Sequence, residues 1–186
     1  MTLGLATCDE HGIYLAIESQ GLPLVGPPVK REFRLLIDSK LMLLNTEPQV
    51  IVLAAGGLDH WSYVAANYTS RPSVTEAALE IVELLDSCMS EENQAFGLVC
   101  GYENSAPPCY RINRGREQKS TDKPKPEKLS DIQEIGTYGD EARKHARNSP
   151  FRKENPLVAL IEAIETLFPR PDIRPPIHSR VIRPHG

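Results

Sequence analysis

The amino-acid sequence predicts an α+β protein in which helices cover a sandwich of β-sheets. The predicted elements come in blocks, with strands first, then two helices, then strands, two helices and a last strand. Each helical stretch is apolar on one face, so it needs a sheet or another helix to cover that face. Blocks of strands and helices in this order are typical of layered folds.

Length and composition fit one folded domain over residues 1–186. A chain of 186 residues, with 40% apolar and 25% charged residues, is long and apolar enough to bury a sizeable core. Its 21 basic and 25 acidic residues give a net charge of -4, which disfavours nucleic acid as a partner. No apolar run approaches the roughly 18 residues that span a bilayer.

We expect a cytoplasmic protein that uses no cofactor and no metal. The N-terminal residues lack the basic start and long apolar stretch of a signal peptide. Cys8, Cys88, Cys100 and Cys109 show no paired CxxC spacing, so we expect reduced and buried thiols. The histidines are too scattered along the sequence to indicate a metal site.

The first eighteen residues predict a β-hairpin. Residues 3–8 and 13–18 are the two strands, and residues 9–12 provide a turn. Gly12 is free to adopt a positive φ, which costs glycine little. The second strand is apolar at alternate positions, so one of its faces should be buried.

Further strands and two helices follow. Residues 33–37 and 41–44 predict a strand pair, and residues 49–55 predict a strand that ends at Gly56 and Gly57. A helical pattern then runs from residue 58 and stops before Pro72. Ser73 and Glu76 have the spacing of a capping box, which predicts the start of the second helix.

The last part of the chain predicts strands, a charged loop and a further helical region. Ala95–Gly101 and Cys109–Arg114 look like an antiparallel pair, and residues 116–128 carry so much charge that we expect an exposed, mobile loop. Residues 132–135 predict a short strand, and residues 140–147 can form a helix. Another helix, over residues 155–168, begins with proline at its first position, and Ile177–Ile182 predicts the final strand.

Five short features, in this order, carry a resemblance to a known family. Thr2 opens the first strand, and the hairpin leads to the acidic Glu18. Lys40 precedes an apolar strand, the segment 54–57 (Ala-Ala-Gly-Gly) precedes a helix, and the segment 135–139 (Ile-Gly-Thr-Tyr-Gly) precedes another. Over nearly the whole chain, these features resemble the N-terminal-nucleophile (Ntn) hydrolases of the proteasome β-subunit family, which includes the bacterial HslV peptidase. The resemblance implies a four-layer α-β-β-α sandwich of two antiparallel sheets between helix pairs.

The same resemblance implies a catalytic site made of Thr2, Glu18, Lys40, Gly56 and Thr137. A threonine hydroxyl is a weak nucleophile, but an N-terminal threonine carries its own base, an α-amine with a pKa of about 7.7–8.0. A lysine beside the hydroxyl would favour the alkoxide, and an acidic residue would hold that lysine charged. The backbone N–H of Gly56 would stabilise an oxyanion, and Thr137 stands where the family has a serine. The implied reaction is acylation of Thr2 by a peptide carbonyl, followed by hydrolysis.

The sequence leaves alternatives for individual site residues. Arg34 stands at the family's usual spacing for the lysine, whereas Lys40 has the apolar strand that follows it. Glu18 and Lys40 would also make sense as a structural ion pair. Thr2 could simply open a strand, and Gly56 could simply shape a strand-to-helix turn.

The sequence also leaves alternatives for the function. Catalysis requires removal of Met1, because an amide nitrogen is not a base, and threonine is small enough for ordinary methionine excision. Without that removal the chain would be a catalytically silent homologue with a scaffolding or binding role. A small-molecule amidohydrolase on the same fold is a third possibility, since a fold does not fix a function.

The resemblance implies partners as well as a reaction. We expect a closed ring of identical subunits, because head-to-tail contacts must close or form filaments. A peptide or an unfolded protein would be the substrate, and an unfoldase could supply it. No nucleic acid and no membrane partner is expected.

Overall fold

Nine strands form two antiparallel sheets in the computed structural model, which describes residues 2–18, 40–90, 93–103, 106–115, 123–173 and 175–184. The strands within these ranges are, in chain order, β1 (Leu3–Asp9), β2 (Gly12–Glu18), β3 (Leu41–Thr46), β4 (Gln49–Gly56), β5 (Ala95–Gly101), β6 (Cys109–Arg114), β7 (Lys125–Glu127), β8 (Gln133–Gly136) and β9 (Ile177–Ile182).

The second sheet is built from neighbours in the chain, whereas the first adds β8 and β9 on either side of the N-terminal hairpin. The first sheet has the strand order β8-β1-β2-β9, and the second has the order β3-β4-β5-β6-β7. Every strand pair described is antiparallel, and the register of the first hairpin places Gly4 opposite Ile17. The sheets therefore bring the beginning of one strand beside the end of the next, which determines where the candidate site lies.

Four helices complete the fold in the described residues. They are α1 (Leu58–Asn67), α2 (Val74–Cys88), α3 (Gly139–Asn148) and α4 (Pro156–Glu165), with a short 3-10 turn, Pro150–Arg152, between the last two. At the start of α2, the Ser73 hydroxyl accepts a hydrogen bond from the Glu76 backbone N–H at 3.0 Å, as the capping sequence predicts. None of the described helices is long and apolar enough to cross a membrane.

Three layers of buried apolar side chains hold the elements together. Leu15 of the first sheet packs with Leu53 and Leu98 of the second, between the two sheets. Trp61 and Ile81 of the first helix pair cover the outer face of the second sheet, and α3 and α4 cover the outer face of the first. Each large aliphatic side chain buried in this way contributes about 1.5–3 kcal/mol. The order of layers is α-β-β-α, and the predicted fold class is confirmed.

The first hairpin forms as predicted, but its turn differs from the expectation. Asp9 Oδ1 accepts hydrogen bonds from the backbone N–H groups of His11, at 2.7 Å, and Gly12, at 3.1 Å. Gly12 is the first residue of β2, and its φ is not positive, so the turn does not use the conformational freedom of glycine. Glycine is required there for space, because a Cβ would lie 2.7 Å from the carbonyl oxygen of Ile182 in β9.

One further expectation is wrong in part, and another concerns residues outside the described ranges. The loop predicted over residues 116–128 is wrong at its C-terminal end, where Lys125–Glu127 forms β7 at the edge of the second sheet. The charges that suggested a solvated loop are used in pairing, since Arg111 Nε donates to Glu127 Oε1 at 2.7 Å. Residues 116–122 lie outside the described residues, as does the strand predicted over residues 33–37.

Candidate active site

The predicted site residues lie at the ends of strands on one side of the two sheets. Thr2 directly precedes β1, and Glu18 is the last residue of β2, so the antiparallel hairpin brings them to the same end. Lys40 directly precedes β3, and Gly56 is the last residue of β4, which pairs with β3. Thr137 follows β8, which pairs with β1.

Lys40 and Glu18 connect the two sheets at this end. Lys40 Nζ lies 3.0 Å from Glu18 Oε1, a charge-assisted hydrogen bond. Both side chains are buried, with 4% and 0% of their residue surfaces exposed. The Lys40 backbone is held as well, because its carbonyl oxygen accepts a hydrogen bond from the Ala54 N–H at 2.7 Å. The ammonium group is therefore fixed by its side chain and by its main chain.

Burial shapes the acid–base behaviour of Lys40. Removal from water disfavours the charged amine and lowers the pKa of Lys40 below its ordinary value. The hydrogen bond and charge of Glu18 oppose this effect but do not cancel it. A lysine with a lowered pKa, held beside a carboxylate at the edge of two sheets, is typical of functional sites.

Thr2 is held by its backbone next to β8. Its carbonyl oxygen accepts a hydrogen bond from the Thr137 N–H at 2.9 Å. By the alternation of β1, the Thr2 side chain belongs to the face of Gly4 and Ala6, and Ala6 packs in the core between the sheets. The hydroxyl thus belongs to the face that looks towards the second sheet, from which Lys40 and Gly56 come. Only 6% of Thr2 is exposed.

The Gly56 turn has a conformation that other residues rarely adopt. Its φ is +91°, and a Cβ there would lie 2.3 Å from the carbonyl oxygen of Gln94. The Ala54 N–H points towards Lys40, and alternate N–H groups of a strand point to the same side. The Gly56 N–H therefore points towards the Lys40 side of the site, a suitable direction for an oxyanion donor.

Two positioning residues carry signals that the sequence analysis did not use. Trp61 is fully buried in the core, and its Nε1–H donates to the Ala55 carbonyl oxygen at 2.8 Å and so holds the turn before Gly56. A buried indole N–H needs such a partner, so the signal was available. Gly136 has a φ of +84°, and a Cβ there would lie 1.8 Å from the Thr2 carbonyl oxygen.

Of the five residues that the sequence singled out, Lys40 contacts Glu18, and Thr137 contacts Thr2 through the backbone. Gly56 lies at the end of β4, the strand that pairs with β3. Lys40 contacts the first sheet through Glu18, and the alternative Arg34 lies outside the described residues. Across those residues, no group of three or more His, Cys, Asp or Glu side chains is arranged to hold a metal ion.

Comparison with solved structures identifies the fold. No family model matches this sequence, and no curated protein matches it. The chain has a proteasome- and HslV-like fold, that of the Ntn hydrolases. A mutant of Anbu from Hyphomicrobium sp. strain MC1 superposes with a TM-score of 0.68 and 13% identity over 98% of this chain and 82% of that one. HslV from Trypanosoma brucei superposes with a TM-score of 0.60 and 16% identity over 98% of this chain and 99% of that one.

Proposed function

We propose that this chain is a proteasome-like N-terminal threonine hydrolase that cleaves peptide bonds inside a ring of identical subunits in the cytoplasm. The observation that carries the proposal is the buried Lys40–Glu18 pair, 3.0 Å apart, at the sheet edge where β1 begins. A buried ion pair stabilises a fold no better than apolar side chains of the same volume. Its position at the end of the hairpin that carries Thr2 is better explained by a need for a fixed ammonium group.

In the proposed first step, the α-amine of an N-terminal Thr2 takes the proton of its own hydroxyl, and Oγ1 attacks a peptide carbonyl carbon. The Lys40 ammonium stabilises the negative charge that develops on Oγ1, and Glu18 keeps Lys40 in place. The carbonyl oxygen becomes an oxyanion that accepts a hydrogen bond from the Gly56 N–H. The C–N bond then breaks, and the leaving amine takes the proton from the α-ammonium group.

The second step restores the enzyme. The α-amine takes a proton from water, and the resulting hydroxide attacks the ester carbon on Thr2. The ester C–O bond breaks, the carboxylic acid product leaves, and Oγ1 regains the proton. Thr137 contributes through its backbone, whose N–H holds the Thr2 carbonyl oxygen at 2.9 Å and so orients the nucleophile.

The ring is supported by apolar side chains that one subunit leaves uncovered. Leu79 on α2 and Leu43 on β3 are each 39% exposed, although their elements pack on the core of the second sheet. These positions suit contacts between neighbouring subunits, and a closed ring would enclose the sites. Light scattering that gives a monomer at micromolar concentration would reject the ring.

The catalytically silent alternative is favoured by one observation. Thr2 is buried, with 6% of its surface exposed, as expected for a residue whose role is purely structural. On this alternative, the Lys40–Glu18 pair only links the two sheets and the protein acts as a scaffold. A small-molecule amidohydrolase is the intermediate case, because a small amide needs less room than a peptide.

The deciding experiment uses a precursor whose N-terminal extension is removed to leave Thr2 as the first residue. We expect hydrolysis of fluorogenic peptides, a loss of about 10³-fold or more in Thr2→Ala, and a loss of about 10²–10³-fold in Lys40→Met. Lys144→Met is the matched control, since Lys144 is an exposed lysine of α3 and should leave the rate unchanged. If the processed protein hydrolyses small amides but no peptide, the amidohydrolase is correct; if it hydrolyses neither, the silent alternative is.

A further inference from the structure

Two cysteine side chains face each other at one end of the neighbouring strands β5 and β6 in the second sheet. Cys100 on β5 and Cys109 on β6 are register partners, and their sulfur atoms lie 3.2 Å apart. Both residues are buried, with 0% and 1% of their surfaces exposed, and both are free thiols. Neither has a part in the proposed hydrolysis, because they lie at the opposite ends of these strands from Ala95, the β5 residue opposite Gly56.

The backbone geometry around the two thiols suits a covalent bond. The Gly101 N–H donates to the Pro108 carbonyl oxygen, so these two residues form a hydrogen-bonded pair of the antiparallel ladder. Pairs alternate along such a ladder, which makes Cys100 and Cys109 a non-hydrogen-bonded pair, whose Cα atoms come within about 4.5 Å. That separation lies in the range that disulfides span, so the strands need not move for a bond to form.

We propose that Cys100 and Cys109 are a dithiol site that low-molecular-weight disulfides, such as glutathione disulfide, oxidise to a cross-strand disulfide in the folded protein. One cysteine thiolate attacks the small disulfide, forms a mixed disulfide and releases one small thiol. The second cysteine thiolate attacks the protein sulfur of that mixed disulfide, forms the Cys100–Cys109 bond and releases the second small thiol. The two hydrogens lost by the protein appear on the two small thiols.

The surroundings of the site predict how fast the exchange goes. The hydrogen bond with Cys109, together with burial, raises the pKa of the Cys100 thiol well above its ordinary value. Neither sulfur is exposed, so the exchange requires local opening of β6 and β7 at the edge of the second sheet. Since the thiolate is the attacking species, the reaction should be slow at neutral pH and accelerate as the pH rises. Cys8, half-buried on β1, faces the same core between the sheets and is the competing partner for either thiol.

The bond should also change stability in a measurable way. It closes a loop of about ten residues, and the chain-entropy relation then predicts a rise of roughly 5–10 °C in the unfolding midpoint. The site therefore stabilises the second sheet under oxidising conditions, whether or not Thr2 is a nucleophile.

The test equilibrates the purified, folded wild-type chain with glutathione disulfide at mildly alkaline pH, then blocks the remaining thiols and cleaves after Glu103, between the two cysteines. We expect a chain that has lost two hydrogens, two blocked thiols, on Cys8 and Cys88, and peptides carrying Cys100 and Cys109 that separate only after reduction. Cys109→Ala should lose the cross-link, and the matched Cys88→Ala should keep it. Four blocked thiols in the wild type, or a cross-link that contains Cys8, would overturn the proposal. An unfolding midpoint that falls on oxidation would overturn it as well.

Discussion

Replacing Lys40 by methionine should remove more stability than the loss of almost any surface charge. Lys40→Met keeps the length of the side chain but deletes the ammonium group 3.0 Å from Glu18 Oε1. The Glu18 carboxylate is 0% exposed, so no water replaces the lost partner. Removing one partner of a buried ion pair lowers the free energy of unfolding by about 3–5 kcal/mol. For a chain of this size that is a fall of roughly 6–20 °C in the unfolding midpoint.

The double variant Lys40→Met/Glu18→Gln tests whether the loss of stability comes from the buried charge that remains on Glu18. With both charges gone, most of the loss should be recovered, because a neutral pair of similar volume replaces the ion pair. The matched control is Arg147→Met on α3, whose partner Asp131 is exposed, and it should cost less than about 1 kcal/mol. Hydrolysis should stay lost in the double variant although its stability returns.

Urea unfolding followed by tryptophan fluorescence measures these differences. The sequence has one tryptophan, Trp61, and it is fully buried, so its emission reports loss of the core. A cost below about 1 kcal/mol for Lys40→Met, equal to that of the exposed control, would show that the pair is solvated and refute the argument. If the double variant is no more stable than Lys40→Met alone, the charge that remains on Glu18 is not the cause of the lost stability.

Three further predictions concern residues around the site and the helices. Gly136→Ala should lower the free energy of unfolding by several kcal/mol and shift Thr2, because φ is +84° and a Cβ would collide with the Thr2 carbonyl oxygen. Hydrogen exchange at the Thr137 N–H should then accelerate, and unchanged protection would contradict this. Trp61→Phe should lower the free energy of unfolding by about 1–3 kcal/mol, because the Ala55 carbonyl oxygen loses its donor. The substitution should also lower kcat more than it changes KM. A stability equal to that of the wild type would contradict this prediction. Glu80→Gln should flatten the acid limb of the stability curve: burial alone would raise the pKa of Glu80, but hydrogen bonds from Arg71 and Thr69 outweigh burial and lower it. The contribution of Glu80 to wild-type stability is therefore present above the ordinary glutamate pKa and is lost as the pH falls through the lowered pKa. Urea unfolding midpoints measured at several acidic pH values should fall more in the wild type than in Glu80→Gln, and an equal fall in both proteins would contradict this.

Local signals were sufficient for most of the fold. The hairpin, the capped start of α2 and the one-sided helix faces are properties of short segments, and each formed where the pattern placed it. The loop prediction failed at the end of the charged segment, because an edge strand needs only one partner strand and tolerates charged residues and proline. Composition alone could not show that Glu127 would find Arg111 on β6.

The sequence suggests which residues form the candidate site, but it does not predict their arrangement in space. The order of Thr2, Glu18 and Lys40 along the chain carried the resemblance, whereas the ion pair between the two sheets depends on how the sheets stack. The buried indole of Trp61 predicts a hydrogen-bond acceptor, but neither that acceptor, the Ala55 carbonyl, nor the close approach of Gly136 to Thr2 can be identified from a local pattern. Long-range packing therefore had to come from the structure.

The most direct test of the nucleophile is covalent labelling of the processed protein by a β-lactone, which acylates an activated hydroxyl. Intact mass and peptide mapping should show one acyl group per chain, on Thr2, and the rate should fall about 10²-fold or more in the stable Lys40→Met/Glu18→Gln variant. Thr2→Ser should still be labelled, because serine keeps the hydroxyl. A protein that takes up no acyl group, or takes it up elsewhere, or labels equally fast without the Lys40 ammonium, would contradict the account.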